Sequence, residues 1–335
     1  MEIIWAIIFL VVGFILLIKG ADYLVEGASA LAKGFGVSDI IIGLTIVSMG
    51  TSAPELVVNV GSAWAGKMDF VYGNVVGSNI FNTLLILGIA GLIYPLRVLK
   101  STGRAEVPIS LFAVVMVYFL SNDPRIWGAD TVIPTGSAGV LSRFDGILLL
   151  VGFVAFLLYV FRNAKSEPSG GDIVKLMPTW KSALFIAGGI TGLILGGNGV
   201  LSGAVTIATH FGLSERIIGL TIIAAGTSLP ELATSVVAAM KKNSDIAIGN
   251  VVGSNIFNIF FILGLTATVT DVPYNLATNF DLYTLMLATL LLFVMLFIGT
   301  RYKNGYFTLD RWQAFVLMLG YFGYTTYLVL LELNK

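Results

Sequence analysis

Glu55 and Glu231 close two copies of one motif, Gly50-Thr51-Ser52-Ala53-Pro54-Glu55 and Gly226-Thr227-Ser228-Leu229-Pro230-Glu231, 176 residues apart. Each copy sits inside an apolar segment. It sets a carboxylate, two hydroxyls and a proline where a bilayer offers hydrocarbon. An acid at that depth is expensive and marks a functional site by default. Pro54 and Pro230 have no N–H, so the carbonyls of Gly50 and Gly226 lose their helix partners and the turn opens. Irregular backbone at membrane depth is tolerated where it lines a cavity. Carbonyls around Ser48-Met49-Gly50 and Ala224-Ala225-Gly226 then become oxygen ligands. Thr51, Ser52, Thr227 and Ser228 add hydroxyls, and the glutamates add charge. One such motif alone also reads as a kinked helix with its acid tied to a neighbour. Two copies point to one shared cation site.

A second motif repeats at the same offset. Gly73 to Asn82 reads GNVVGSNIFN and matches Gly249 to Asn258 at all ten positions. It supplies Ser78, Asn79 and Asn82, and again Ser254, Asn255 and Asn258. Ser78 and Asn82 are four apart and share a helix face, as do Ser254 and Asn258. Gly73 and Gly77, like Gly249 and Gly253, have the spacing that lets helix backbones approach. Every candidate ligand is an oxygen. Calcium takes about six to eight oxygens, whereas soft metals want Cys, His or Met. The chain has no cysteine and one histidine, His210. Magnesium, with its stiff octahedral demand, fits less well.

The elements that must position these residues are membrane helices. Of 335 residues, 57% are hydrophobic and only 11% charged, with mean hydropathy +0.93. Soluble domains carry about 25% charge. Net charge is zero, so no nucleic-acid partner is implied. Nor is there a nucleophile–base set or phosphate loop, so the reading is not an enzyme, and no cofactor is expected. Ten spans of adequate length are expected, at about 3–33, 38–64, 70–96, 105–121 and 144–162, then 181–211, 214–240, 246–270, 279–300 and 310–332. Glu2 stands where a signal peptide would be positive, so the first segment reads as a span. The fold class expected is an all-α polytopic membrane protein.

Aligning 39–89 on 215–265 without gaps gives 28 identities in 51 positions. Gly20 pairs with Gly196 and Gly27 with Gly203. The domains expected are a first five-helix repeat at 1–162 with its motif region at 43–82, a short linker at 163–180, and a second repeat at 181–335 with its motif region at 219–258. Five is odd, so equivalent spans run in opposite directions, the inverted-repeat plan of secondary transporters. With both termini outside, 13 of the 19 basic residues fall on inside positions, which favours that orientation. Asp69 and Asp245 read as helix N-caps, and Asp22 and Glu26 as interfacial or gating residues. The loop at 121–142 has no counterpart in the second half.

The paired motifs GTSAPE with GNVVGSNIFN, and GTSLPE with GNVVGSNIFN, resemble the two alpha-repeats of the cation/calcium exchanger superfamily, and most of all its prokaryotic sodium/calcium antiporters. The resemblance covers nearly the whole chain. It implies four clustered cation sites. Calcium would be held by Glu55, Glu231, Thr51 and Thr227. Sodium would be served by Ser52, Ser78, Ser228 and Ser254 and by the carbonyls of Ser48 and Ala224, with Asn82 and Asn258 alongside. Some relatives carry Asp at the position of Asn258, so here no titratable group remains there for proton coupling. Larger eukaryotic exchangers have a regulatory loop where this chain has a short linker, and no such control is expected.

The expected function is electrogenic exchange of sodium for calcium by alternating access, in a multi-pass protein of the plasma membrane. Its partners are the two ions and the bilayer, and the expected state is a monomer. The alternative is a proton/calcium or potassium-dependent exchanger of the same fold. A calcium-permeable channel fits less well, because both acids come from one chain rather than from a ring of subunits.

Overall fold

The computed structural model describes residues 2–64, 66, 69–127, 139–163, 177–211, 224–299 and 306–333. Within them, eight single helices are long and apolar enough to cross a bilayer, and a bent pair makes a ninth span. The single helices are α1 (Glu2–Phe35), α4 (Phe70–Ile93), α5 (Thr102–Asn122), α6 (Arg143–Arg162), α7 (Thr179–His210), α9 (Ser244–Val269), α10 (Thr278–Ile298) and α11 (Arg311–Leu333). The bent pair is α2 (Asp39–Thr51) and α3 (Ala53–Trp64), at 46° to each other. The span expected at 214–240 is seen as one turn, Ala224–Gly226, followed by α8 (Leu229–Met240). Its first ten residues lie outside the described set, as do most of the 163–180 linker and residues 128–138 of the 121–142 loop.

The chain is not wholly helical. Four short strands pair antiparallel, β1 (Leu96–Leu99) with β4 (Tyr306–Leu309) and β2 (Gly139–Leu141) with β3 (Val272–Tyr274). They lie between spans, where helix ends leave backbone groups to be paired. Their Val, Leu, Tyr and Phe side chains suit a pleated, half-buried surface. Leu96 and Val272 stand 176 residues apart, so β1 and β3 occupy matching places in the two sequence repeats. Each ladder joins one repeat to the other.

The centre is built from α4 and α9. The apolar window of α9 is 94% buried and that of α4 72%, against 22% for α1 and 11% for α11. On α1 the exposed side chains include Ile4, Trp5, Phe9 and Ile15, a lipid-facing stripe. Both central helices widen to π-helix at matching positions, Phe81–Ile86 and Phe257–Leu263. Such bulges cluster at functional sites, and here each begins one residue before Asn82 or Asn258.

With lipid as solvent, helices associate through van der Waals packing and small residues. The longest pair shows this. A Cβ on Gly20 of α1 would lie 2.8 Å from the Gly189 carbonyl and the Leu193 nitrogen of α7. One on Gly196 would lie 2.7 Å from the Gly13 carbonyl and the Leu17 nitrogen. The α1–α7 seam is therefore backbone against backbone. Gly249 and Gly253 do the same for α9 against α2, where added Cβ atoms would meet Gly43 and Leu44 at 3.0 and 2.8 Å.

Asn243 ties three elements together. Its Oδ1 caps α9 by accepting from the Ile246 N–H at 3.0 Å. Its Nδ2 donates to Asp39 at 2.7 Å and to Ser29 at 3.0 Å. The cap is thus Asn243, not Asp245, which sits in the first helical turn where an acid faces the positive end of the helix dipole. Asp22, on α1, pairs with Lys241 at the end of α8; both are partly exposed, so the pair adds little stability.

Gly20→Leu or Gly196→Leu should force α1 and α7 apart and cost at least about 1–3 kcal/mol, the usual penalty of overpacking. Gly188→Leu, on the same helix with open space around its Cα, should be neutral. Thermal unfolding of the purified protein in detergent checks this. Equal melting temperatures for all three would mean that the seam is not tight.

Candidate cation site

The breaks in the two motif spans are near copies. Ser52 has φ −83° and ψ 9°, and Ser228 has φ −87° and ψ 8°. Both sit in the sparsely populated bridge region that functional residues favour. Helix resumes at once, because the Leu56 and Leu232 N–H groups donate back to the carbonyls of Ser52 and Ser228. Each glutamate therefore begins a fresh helix, Glu55 on α3 and Glu231 on α8, at the end where the dipole favours a negative charge.

The two acids meet by exchanging partners. Ser52 Oγ donates to Glu231 Oε1 at 2.7 Å, and Ser228 Oγ donates to Glu55 Oε1 at 3.2 Å. Glu55 is 1% exposed and Glu231 0%. Threonines repeat the crossing. Thr51 Oγ1 donates to Asn250 Oδ1 at 3.0 Å, and Thr227 Oγ1 to Asn74 Oδ1 at 3.3 Å. A third crossing links the centres of α4 and α9. Asn79 Nδ2 donates to the Asn255 carbonyl, Asn82 Nδ2 to Asn255 Oδ1, and Asn258 Nδ2 to Asn79 Oδ1, all at 3.0–3.1 Å. Asn255 Nδ2 in turn donates to Thr83 Oγ1 at 2.7 Å.

After these bonds are made, several buried oxygens still have no partner: Glu55 Oε2, Glu231 Oε2, Ser78 Oγ, Asn82 Oδ1 and Asn258 Oδ1. A buried, unpaired polar group costs about 1–3 kcal/mol, more when charged. Unpaired oxygens on the paired motifs, two of them carboxylate, are of the kind a hard cation selects. Among the described residues, no group of three or more His, Cys, Asp or Glu side chains gathers anywhere. Charge in this cluster thus comes from the two glutamates.

Ser48 is fully buried, and its carbonyl keeps its helical partner, the Ser52 N–H at 3.0 Å. The hydroxyls of Thr51 and Ser254 also converge on it, at 3.3 and 3.5 Å. Ala224 begins the turn ahead of Gly226. The structure thus links Ser52 and Thr51 to the second repeat and Ser228, Thr227 and Ser254 to the first around Glu55 and Glu231, and joins Asn82 and Asn258 through Asn255 and Asn79, while Ser78 Oγ, one turn before Asn82, makes no hydrogen bond among the described residues. Reading the motifs by spacing alone overlooks Asn74, Asn250 and Asn59. Asn59 Nδ2 donates to the Glu55 carbonyl at 2.8 Å, and Asn250 Nδ2 to the Glu231 carbonyl at 3.2 Å. The signal for Asn74 and Asn250 was available: both lie within the ten identical positions, one turn from Ser78 and Ser254.

The family model described as Sodium/calcium exchanger protein matches residues 5–162 and 181–330. The CaxA protein of Alkalimonas amylolytica is 38% identical over 328 residues, 95% of this chain and 97% of the relative. The Sodium/calcium exchanger MaX1 of Methanosarcina acetivorans is 32% identical over 315 residues, 86% and 88% of the two chains. Among solved structures, the sodium-calcium exchanger NCX_Mj soaked with 10 mM Na+ and 10 mM Sr2+ superposes with a TM-score of 0.78 at 28% identity, covering 96% of this chain and 97% of that one.

The crossed bonds can be tested by double-mutant cycles on thermal stability in cation-free buffer. Ser52→Ala with Glu231→Gln, and Ser228→Ala with Glu55→Gln, should each show coupling of about 1–3 kcal/mol, as expected for hydrogen bonds to charged groups. Couplings near zero in both cycles would mean that the two repeats do not interlock at these residues.

Proposed function

The chain belongs to the sodium/calcium exchanger protein family, and from that premise we propose that it carries calcium against sodium by alternating access. It is a multi-pass membrane protein and a cation/calcium exchanger. The observation that carries the finer reading is the crossed pair Ser52–Glu231 and Ser228–Glu55, with one unpaired oxygen left on each glutamate.

In this reading Glu55 and Glu231 hold calcium, assisted by Thr51 and Thr227. Ser52, Ser78, Ser228 and Ser254, with the carbonyls of Ser48 and Ala224, serve sodium, and Asn82 and Asn258 stand beside them. A serine hydroxyl is donor and acceptor at once and rotates to suit its neighbour. Without a cation, Ser52 and Ser228 point their protons at the glutamates. With a cation, the same hydroxyls turn their lone pairs toward it. One calcium neutralises the two carboxylates. Three sodium ions would leave one positive charge, so a three-to-one exchange is electrogenic.

Alternating access follows from two inverted five-helix repeats with both termini outside. The matching offsets of the crossed bonds, of the π-helical turns and of β1 and β3 support that plan. Helix α7 lies over the breaks: a Cβ on Gly226 would strike Leu201, and Gly197 faces the Pro230 ring at 3.7 Å. Because the glycine seam binds α1 to α7, the two move as one cover. Moving them relative to α4 and α9 exposes the site to one face at a time.

In proteoliposomes, an outward-directed sodium gradient should drive calcium uptake that responds to an imposed membrane potential. Glu55→Gln and Glu231→Gln should each reduce calcium flux by roughly 100-fold or more, since each removes one of two charges from a desolvated site. The double variant should be no worse than either single, because the pair acts as a unit. Uptake indifferent to sodium and driven by a pH gradient alone would replace sodium with the proton. Near-normal flux in either Gln variant would dismiss the shared site.

A further inference from the structure

Away from the glutamate pair, two more carboxylates are buried and half-satisfied: Asp39, held by the Asn243 amide, and Glu106. Glu106, at the start of α5, is 6% exposed. Its Oε1 accepts from the Tyr159 hydroxyl of α6 at 2.8 Å, and its Oε2 has no partner. Glu106 lines a cavity of about 230 Å³ together with Ser38, Ser101, Tyr159, Asn163 and the apolar first turns of α2 around Leu44. A buried water needs roughly 10–15 Å³ of such space, so the cavity takes several waters or an ion that keeps part of its shell. Among the described residues, none of those lining it is basic.

We propose that the cavity between α2, α5 and α6 is a second cation site, for one partly hydrated monovalent hard cation of the sodium class, held by Glu106. The donor set is a single carboxylate, three hydroxyls and one amide, all oxygen ligands of the kind hard cations select. One negative charge matches one positive charge. A divalent ion would keep an uncompensated charge beside this single buried carboxylate, which is costly. Magnesium would also demand octahedral order that this loose ring of hydroxyls does not impose. The glutamate pair is a different place, on α3 and α8. The link between the two sites is α2, whose first turns wall the cavity and whose last turn ends at Thr51 beside Glu231. An ion bound at Glu106 thus braces the N-terminal end of the helix that presents Ser48 and Thr51.

Crystals of the full chain grown with thallium(I) in place of sodium test this, since thallium(I) is a monovalent probe located by its anomalous scattering. The expected result is an anomalous peak within coordination distance of Glu106 Oε2, weakened by added sodium and absent from Glu106→Gln. That variant is isosteric and keeps an acceptor for Tyr159. Ordered water alone beside Glu106 in the wild-type crystals overturns the proposal without reliance on any variant. So does a peak that survives Glu106→Gln. A strontium peak at this place in crystals holding both ions would overturn the monovalent class.

Discussion

Ser52 and Ser228 each give their hydroxyl proton to the glutamate of the other repeat, at 2.7 and 3.2 Å, and both acids are sealed from bulk solvent. A carboxylate taken out of water loses several kcal/mol of solvation even after the protein relaxes. One neutral hydroxyl recovers only about 1.5–3 kcal/mol of that. The remainder must come from the dipoles at the starts of α3 and α8, from amides nearby, and from a cation when one is bound. The site is therefore incomplete as protein alone. In the proposed exchange, it is this incompleteness that sodium and calcium would fill in turn.

Crossing bonds of this kind fix the rest of the architecture. Glu55 lies within reach of Ser228 only if both motif spans break at the same depth, which Pro54 and Pro230 ensure by denying Gly50 and Gly226 their helix partners. The breaks stay together only if α9 approaches α2 backbone to backbone, which Gly249 and Gly253 permit. Asn79, Asn82, Asn255 and Asn258 then lock α4 to α9 at the level of their π-helical turns. In lipid, where apolar burial gives helices little reason to associate, this chain of amides and glycines holds the centre. The lipid-facing helices α1 and α11 can be apolar on their outer sides because their polar contacts with the centre, Ser29 with Asn243 and Arg311 with the Leu92 and Ile93 carbonyls, are made at helix ends.

Most of this was legible in the residues. The motif pair, the ten-residue identity and the offset of 176 single out the two broken segments and the candidate residues on them, because an acid or amide at membrane depth is too costly to persist without a role. The partners were less legible. Thr51 finds Asn250 and Thr227 finds Asn74 across more than 150 residues, and the spacing within one helix carries no register for the other. Asn243 replaced Asp245 as the cap because its position just before Ser244 lets its carbonyl reach the Ile246 N–H; charge alone did not decide it. The strands at 96–99 and 306–309 were invisible as strands, being four residues long and set between helices.

The places where the repeats differ matter as much as those where they agree. Residue 59 is Asn, and its counterpart 235 is Ser. Asn59 reaches back along its own helix and takes the Glu55 carbonyl at 2.8 Å. Ser235 is too short for that, so Asn250 crosses over from α9, donating to the Glu231 carbonyl at 3.2 Å and to Ser235 Oγ at 3.0 Å. Asn74, the counterpart of Asn250, accepts from Thr227 but leaves its own Nδ2 unpartnered. Glu231 is thus braced by a neighbouring helix, and Glu55 by its own. A machine made of two interchangeable halves would have two end states of equal energy. Here one substitution redistributes the bonds around the glutamates, so under the proposed alternating access the two halves would exchange unlike networks, set apart by Asn59 and Ser235.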